Sequence, residues 1–251
     1  MLKQYKPTLD KLTKIVGKSH VLIDEQDTRH YRQGIRFGEG KVLAVVCPGT
    51  LLEQWQALQT IIEADCVVIM QAANTGLTGG STPYGDEYDR PVIIMSTRRL
   101  QGIQVILDGK QVVCLPGATL DNLERTLKPY NREPHSVIGS SCIGASVLGG
   151  VCNNSGGALV RRGPAYTEMA LYARVNESGE LELINHLGID LGNTAEEILT
   201  RLQKQDYETG QVTTQTTQLA SDNRYAHDVK QVDADSPARF NADPTRLYEA
   251  S

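Results

Sequence analysis

The sequence predicts an α+β domain made of a small βαβ unit followed by a larger mixed or antiparallel sheet with helices. Three observations carry that expectation. Two continuous apolar runs, "VLAVVCP" at residues 42–48 and "CVVIM" at residues 66–70, flank a stretch with helical periodicity. Later apolar runs are joined by turn signals, at Asp108-Gly109 and at residues 177–179. Two segments of very low bulk, "QAANTGLTGGSTPYG" at residues 71–85 and a second at residues 138–169, interrupt this pattern without reading as helix or strand.

Taken in order, residues 8–16 read as a short amphipathic helix stopped at Gly17. Residues 42–48 are apolar throughout, as a strand covered on both faces should be. Thr50 and Glu53 form a capping box, and Leu51, Leu52, Trp55, Leu58, Ile61 and Ile62 recur at helical spacing behind it. Residues 66–70 form a second buried strand, parallel to the first because a helix connects them. The first low-bulk segment therefore leaves the carboxyl end of a parallel strand, where α/β folds place ligands. After it the pattern changes: "PVIIM" and "IQVILDGKQVVCLPG" read as strands, the latter a hairpin. Residues 119–127 look helical, "MALYARVNESGELELINHLG" is another hairpin, and Thr194 with Glu197 caps a helix through about Gln203. From Asp206 to Ser251 the chain is polar and reads as a long connecting segment, so the expected division is residues 1–205 and 206–251.

Composition narrows the class. A chain of 251 residues that is 40% hydrophobic can bury a core. A net charge of -5 and a sequence pI near 5.6 argue against a nucleic-acid partner, which needs a concentrated basic surface. Five cysteines without CxxC spacing read as mostly buried free thiols, and His186 and His227 have no partner at ligand spacing, so no metal site is expected. No apolar run approaches the roughly 18 residues of a membrane span, and no secretory signal opens the chain. The expectation is a soluble, intracellular globular domain.

The chemistry lies in the two low-bulk segments. Gly76, Gly79 and Gly80 permit close backbone approach and expose consecutive N–H groups, while Asn74, Thr75, Thr78, Ser81 and Thr82 add neutral donors. That set suits a pyrophosphate. It is neither a P-loop, since no lysine lies between Gln71 and Arg90, nor a GxGxxG fingerprint. A flexible surface loop is the other reading of the same residues. In the second segment, Gly139, Gly144, Gly149, Gly150, Gly156 and Gly157 alternate with Ser, Asn and the apolar Ile143, Val147, Leu148 and Val151. Apolar residues among glycines predict buried, closely packed backbone, against either an elongated cofactor or a neighbouring helix and sheet. Arg161, Arg162 and His135 are weaker candidates, each more at home in a loop, solvated for the arginines and hydrogen-bonded for the histidine.

The stretches "MQAANTGLTGGSTP", "EPHSVIGSSCIGASVLGGVCNNSGGALVRRGPAYTEM", "NHLGIDLG" and "DSPARFNADPTRLYEAS" resemble the family of bacterial quinone-dependent D-lactate dehydrogenases. These are flavoproteins with a p-cresol-methylhydroxylase-type (PCMH-type, vanillyl-alcohol-oxidase-like) FAD domain. The resemblance runs in register from about Val16 to Ser251. It implies a PCMH-type fold of two subdomains with FAD between them. The first segment would hold the pyrophosphate and ribityl region through Ala72, Ala73, Asn74, Thr75, Gly76, Gly80 and Ser81. The second would line the FAD through Gly139, Ser146 and Gly156. No histidine lies between His30 and His135, so noncovalent FAD is expected. The implied partners are D-lactate and a membrane quinone, at the cytoplasm or the cytoplasmic face of the inner membrane. Family members continue past the position of Ser251 into a further strand, a cap domain and a membrane-docking region, so a truncated chain is expected. The groups that act on lactate would lie in that missing part, and no catalytic residue is assigned. Three other readings remain: a nucleotide-binding module without catalysis, an incomplete product with an unpaired sheet edge that forms no stable site, and a flavin dehydrogenase for another 2-hydroxy acid.

Overall fold

The computed structural model describes residues 3–36, 38–86, 88–134, 140–153, 155 and 169–208. Helix α1 (Lys6–Val16) begins two residues before the expected start, with Pro7 in its first turn, where the missing N–H costs nothing. It ends at Gly17, whose φ of 86° breaks the helix. Leu9, Leu12 and Val16 are buried. After β1 (Val21–Leu22) and α2 (Glu25–Arg32), the run at residues 42–48 supplies β2 (Ala44–Val46). Its flanks stay tied, with Leu43 N–H donating to the Val92 carbonyl at 2.7 Å and Cys47 N–H to the His20 carbonyl at 2.9 Å. Helix α3 (Leu51–Glu63) follows, then β3 (Val67–Gln71) and, after the first low-bulk segment, β4 (Val92–Ser96).

The four strands pair in the order β1-β2-β4-β3. Helix α3 does join two parallel strands, but they are not neighbours. Strand β4 lies between them and runs parallel to both, with Ile93 opposite Ala44 and Val92 opposite Val67. "PVIIM" is thus the centre of the parallel sheet, not part of a later antiparallel one. Every residue of β4 is buried, as a strand flanked on both edges and faces requires. Strand β3 is displaced to the edge, and the expectation that it is buried fails there: Met70 is 43% exposed.

The second half is built on two hairpins, β5 (Ile103–Ile106) with β6 (Gln111–Cys114) and β7 (Leu171–Val175) with β8 (Leu181–Asn185). Their turns fall at the expected residues. Asp108 and Gly109 both have positive φ, and Asn176 Oδ1 accepts the N–H groups of Ser178 and Glu180. Helices α4 (Leu120–Leu127), α5 (Val147–Cys152) and α6 (Ala195–Lys204) open on Thr119, Ser146 and Thr194, each accepting an N–H from three residues ahead. The capping boxes of α3 and α6 close one residue early. Glu53 reaches back to the N–H of Gly49 and Glu197 to that of Asn193, not to the capping threonines.

Helix α3 serves two cores. Ala57 and Ile61 join Leu9, Leu12, Ala44, Val46, Ile93 and Met95 on one side. Leu51 and Trp55 join Leu100, Leu115, Leu191, Ile198, Leu199 and Leu202 on the other, where Leu171, Leu181 and Leu183 of the second hairpin also pack. Full burial of one such side chain stabilises the fold by roughly 1.5–3 kcal/mol. A polar contact also ties α6 to α3 within the second core: Gln203 Oε1 accepts the first helical N–H of α3, from Leu51, at 2.6 Å. Of the segment expected to begin at Asp206, the first residues are anchored: Asp206 N–H bonds the Arg201 carbonyl and the Tyr207 hydroxyl meets Gln104. Residues 209–251 lie outside the described residues.

The cysteines depart from expectation. All five are free, but only Cys47 and Cys66 are buried, Cys114 is half-buried, and Cys142 and Cys152 are exposed. The exposed pair belongs to the second low-bulk segment, where one short helix covers little surface.

Candidate functional site

The first low-bulk segment begins where β3 and β4 part, at the carboxyl end of the parallel strands. The last ladder pair is Gln71 with Ser96, and Thr97 N–H donates to the Gln71 carbonyl at 2.8 Å. Gln71 is 2% exposed, and its Nε2 donates to two carbonyls, Tyr31 at 2.8 Å and Ser81 at 2.6 Å. Asn74 takes a φ of 56°, which asparagine tolerates, and is 8% exposed. Its Nδ2 donates to the Gln33 carbonyl at 2.9 Å. Its Oδ1 accepts from the Ser81 hydroxyl at 2.9 Å and the Thr82 hydroxyl at 2.8 Å. The far end is pinned to residues 39–41: Gly85 N–H donates to the Glu39 carbonyl and Lys41 N–H to the Gly85 carbonyl, both at 2.8 Å. Gly40 is required there, since a Cβ on it would lie 2.6 Å from the Pro83 carbonyl carbon.

Between these ties the main chain forms an arch. Among the described residues, no backbone N–H from Ala73 to Ser81 has an acceptor. The donors expected from side chains divide into two groups. Those of Asn74, Ser81 and Thr82 are spent within the loop, whereas the Thr75 and Thr78 hydroxyls make no hydrogen bond among the described residues. No side chain from Gln71 to Pro83 is titratable, so this loop can bind an anion but cannot move a proton.

The second segment is held differently, by its backbone. Leu120 N–H donates to the Ala145 carbonyl and Val147 N–H to the Ala118 carbonyl, both at 2.9 Å, which sews the segment to the start of α4. Gly144 has a φ of 93°, and Ser146 caps α5 through the Gly149 N–H at 3.0 Å. Ala145, Ser146 and Gly150 are buried, but Ile143 is 55% exposed and Leu148 44%. Two apolar side chains of the segment thus stand exposed, Ile143 just before Gly144 and Leu148 in the first turn of α5. The two segments touch: a Cβ on Gly144 would lie 3.6 Å from the Cβ of Ala73. Of the expected site residues, Ala72, Ala73, Asn74, Thr75, Gly76, Gly80 and Ser81 share the first arch, and Ser146 belongs to the segment beside it. Gly139 and Gly156 lie outside the described residues, as do His135, Arg161, Arg162 and His227. His186 is described and meets the Tyr172 ring edge-on at 5.6 Å.

Residues that sequence reading passed over also belong to this end of the sheet. Tyr31 and Gln33 hold the arch through their carbonyls. The Tyr31 hydroxyl lies 3.8 Å from the Cys47 sulfur, and burial, reinforced by Cys47, pushes its pKa up to about 12. Burial likewise raises the Cys47 thiol, against the opposing pull of Arg99 and Arg98. These arginines follow β4 after Thr97, and Arg99 donates to the Cys47 carbonyl at 2.6 Å. A pair of arginines immediately after a buried strand was the available signal for positive charge at the strand ends.

Residues 42–182 match the FAD binding domain family. The chain is 61% identical over 243 residues to a quinone-dependent D-lactate dehydrogenase of Haemophilus influenzae, covering 97% of this chain and 43% of that protein. It is 56% identical over 246 residues to the enzyme of the same name from Escherichia coli, covering 98% of this chain and again 43% of the relative. The chain thus spans well under half the length of these relatives. Its fold is similar to that of p-cresol methylhydroxylase with substrate bound, with a TM-score of 0.56 at 16% identity over 72% of this chain and 35% of that one.

Proposed function

This chain belongs to the FAD-binding domain family, and on that premise we propose that it is the FAD-binding portion of a quinone-dependent D-lactate dehydrogenase. The observation that carries the cofactor reading is the arch from Ala73 to Ser81, whose N–H groups have no acceptor among the described residues and whose side chains are small. Such a row of donors fits the oxygens of a pyrophosphate. In this reading Ala72, Ala73, Asn74, Thr75, Gly76, Gly80 and Ser81 surround the pyrophosphate and ribityl region, while Gly139, Ser146 and Gly156 line the cofactor from the other side. The absence of a histidine between His30 and His135 supports noncovalent attachment.

When bound, FAD would supply the redox chemistry, accepting a hydride from C2 of D-lactate as pyruvate forms and passing electrons to a membrane quinone. The chain's own residues bind and orient. The arch donates main-chain N–H groups, Arg98 and Arg99 add positive charge near the strand ends, and the Ala73–Gly144 contact sets how closely the two segments approach. Nothing from Gln71 to Pro83 can take the hydroxyl proton of lactate, so that role falls outside the arch. The division into residues 1–205 and 206–251, and a place at the cytoplasmic membrane face, belong to the same proposal.

The test is the visible absorption spectrum of the purified chain before and after acid treatment. A flavin spectrum that leaves the protein on denaturation is the expected result. A folded, colourless chain that takes up no added FAD would overturn the reading.

A further inference from the structure

We propose that Gln71 and Asn74 act on the cofactor indirectly, as two buried amides that close the arch before a ligand arrives and leave its main-chain N–H groups to do the binding. The proposal rests on the FAD reading above and deepens it. Both amides lie at the start of the arch, and both reach its end. Gln71 bonds the carbonyl of Ser81, and Asn74 accepts the hydroxyls of Ser81 and Thr82. Both also reach a distant stretch of chain, the carbonyls of Tyr31 and Gln33 at the carboxyl end of α2, 40 and 41 residues away in sequence. Start and end are clipped together and hung on a third strip of backbone.

The Asn74 Oδ1 already accepts two hydroxyls, which occupies its lone pairs. It therefore offers nothing further to a ligand. Ser81 and Thr82 both turn their hydroxyls to Asn74, and Thr82 is buried. A loop held in its binding shape loses less conformational freedom when the ligand arrives, which raises affinity without a new contact. Ser81, which a ligand-centred reading makes a direct contact, becomes part of the clip.

Thr82 separates the two readings because it belongs to the clip alone. In the full chain, Thr82→Val keeps the shape and removes the hydroxyl, while Thr82→Ser keeps the hydroxyl. FAD and ADP affinities are measured for both variants, for Ser81→Ala, and for each of Thr82→Val and Ser81→Ala combined with Asn74→Ala. The expected result is that Thr82→Val weakens FAD and ADP alike, by about 10- to 100-fold, and that Thr82→Ser restores wild-type binding. Once Asn74 is alanine, neither Thr82→Val nor Ser81→Ala should cost more. Unchanged affinity in Thr82→Val beside a clear loss in Ser81→Ala would overturn the proposal, because Ser81 would then touch the ligand itself. If the wild-type chain binds neither FAD nor ADP, the cofactor reading fails. The clip is then judged by chymotryptic cleavage after exposed Leu77 in the unliganded protein: faster cleavage in Thr82→Val supports it, equal rates overturn it.

Discussion

The two low-bulk segments look alike in sequence and are held by opposite means. The arch from Gln71 to Gly85 depends on two particular side chains, each buried and bonded to carbonyls or hydroxyls far from it in sequence. The segment around Ser146 depends on main-chain pairing with the entrance of α4, which any sequence of small residues could make. Side-chain clips specify one loop shape and are intolerant of change. Backbone stitching specifies position and leaves the outward face free to vary. Glycine content reports neither arrangement; the hydrogen-bond partners do.

The sharpest way to break this contrast is to remove one clip. Gln71→Met keeps the volume but leaves the Tyr31 and Ser81 carbonyls without their buried donor, at an expected cost of about 2–4 kcal/mol in unfolding free energy, measured by denaturant titration. The matching change in the second segment, Ser146→Ala, removes a single helix cap and should cost about 1 kcal/mol in the same titration. Equal losses would mean that the two segments are held alike after all.

A subtler probe uses pH. The folded Tyr31 has its pKa pushed up from 10.0 to about 12, so the folded state favours the protonated phenol. Stability from this group is fully present below pH 10.0 and is lost as pH rises toward about 12. Tyr31→Phe should therefore reduce the alkaline limb of the stability profile, leaving a residual slope from Cys47, Cys66, Cys114, Cys152 and Tyr207, which burial also raises. The backbone carbonyl that anchors Gln71 remains, so neutral-pH behaviour should hardly change. An unaltered alkaline limb would remove Tyr31 as its source. The smallest effect belongs to the outward face of the second segment. Ile143→Ser and Leu148→Ser should each shift stability by no more than about 0.5 kcal/mol. A loss as large as that of Gln71→Met would show that this face is packed.

Local chemistry was legible in the sequence. Thr50, Thr119 and Thr194 mark helix starts because a cap is satisfied by its own next turn, and Asp108-Gly109 and Gly179 mark hairpins because positive φ is a local demand. What escaped was decided between distant residues. Nothing in "PVIIM" itself says that it will pair with both β2 and β3, and the edge exposure of Met70 follows from that insertion. The arch was recognisable as a ligand loop from its small residues, but the assignment of Asn74, Ser81 and Thr82 as free donors overlooked one another as partners. Their geometry depends on the carbonyls of Tyr31 and Gln33, which leave no trace in side-chain pattern. The exposure of Ile143 and Leu148 was not legible for a related reason: composition counts apolar residues without saying which way they point.

The bond between Gln203 and the first turn of α3 has a bearing on how the molecule comes into being. The ribosome makes Leu51 long before its partner, 152 residues later. Throughout that interval the face of α3 carrying Leu51 and Trp55 has no α6 to cover it, and one helical donor goes without its acceptor. The early half can collapse around Ile61 and the parallel strands, yet it carries an exposed oily flank until α6 arrives. A nascent chain stalled short of α6 is, by this construction, a ready client for a chaperone, and release of α6 is the event that seals it.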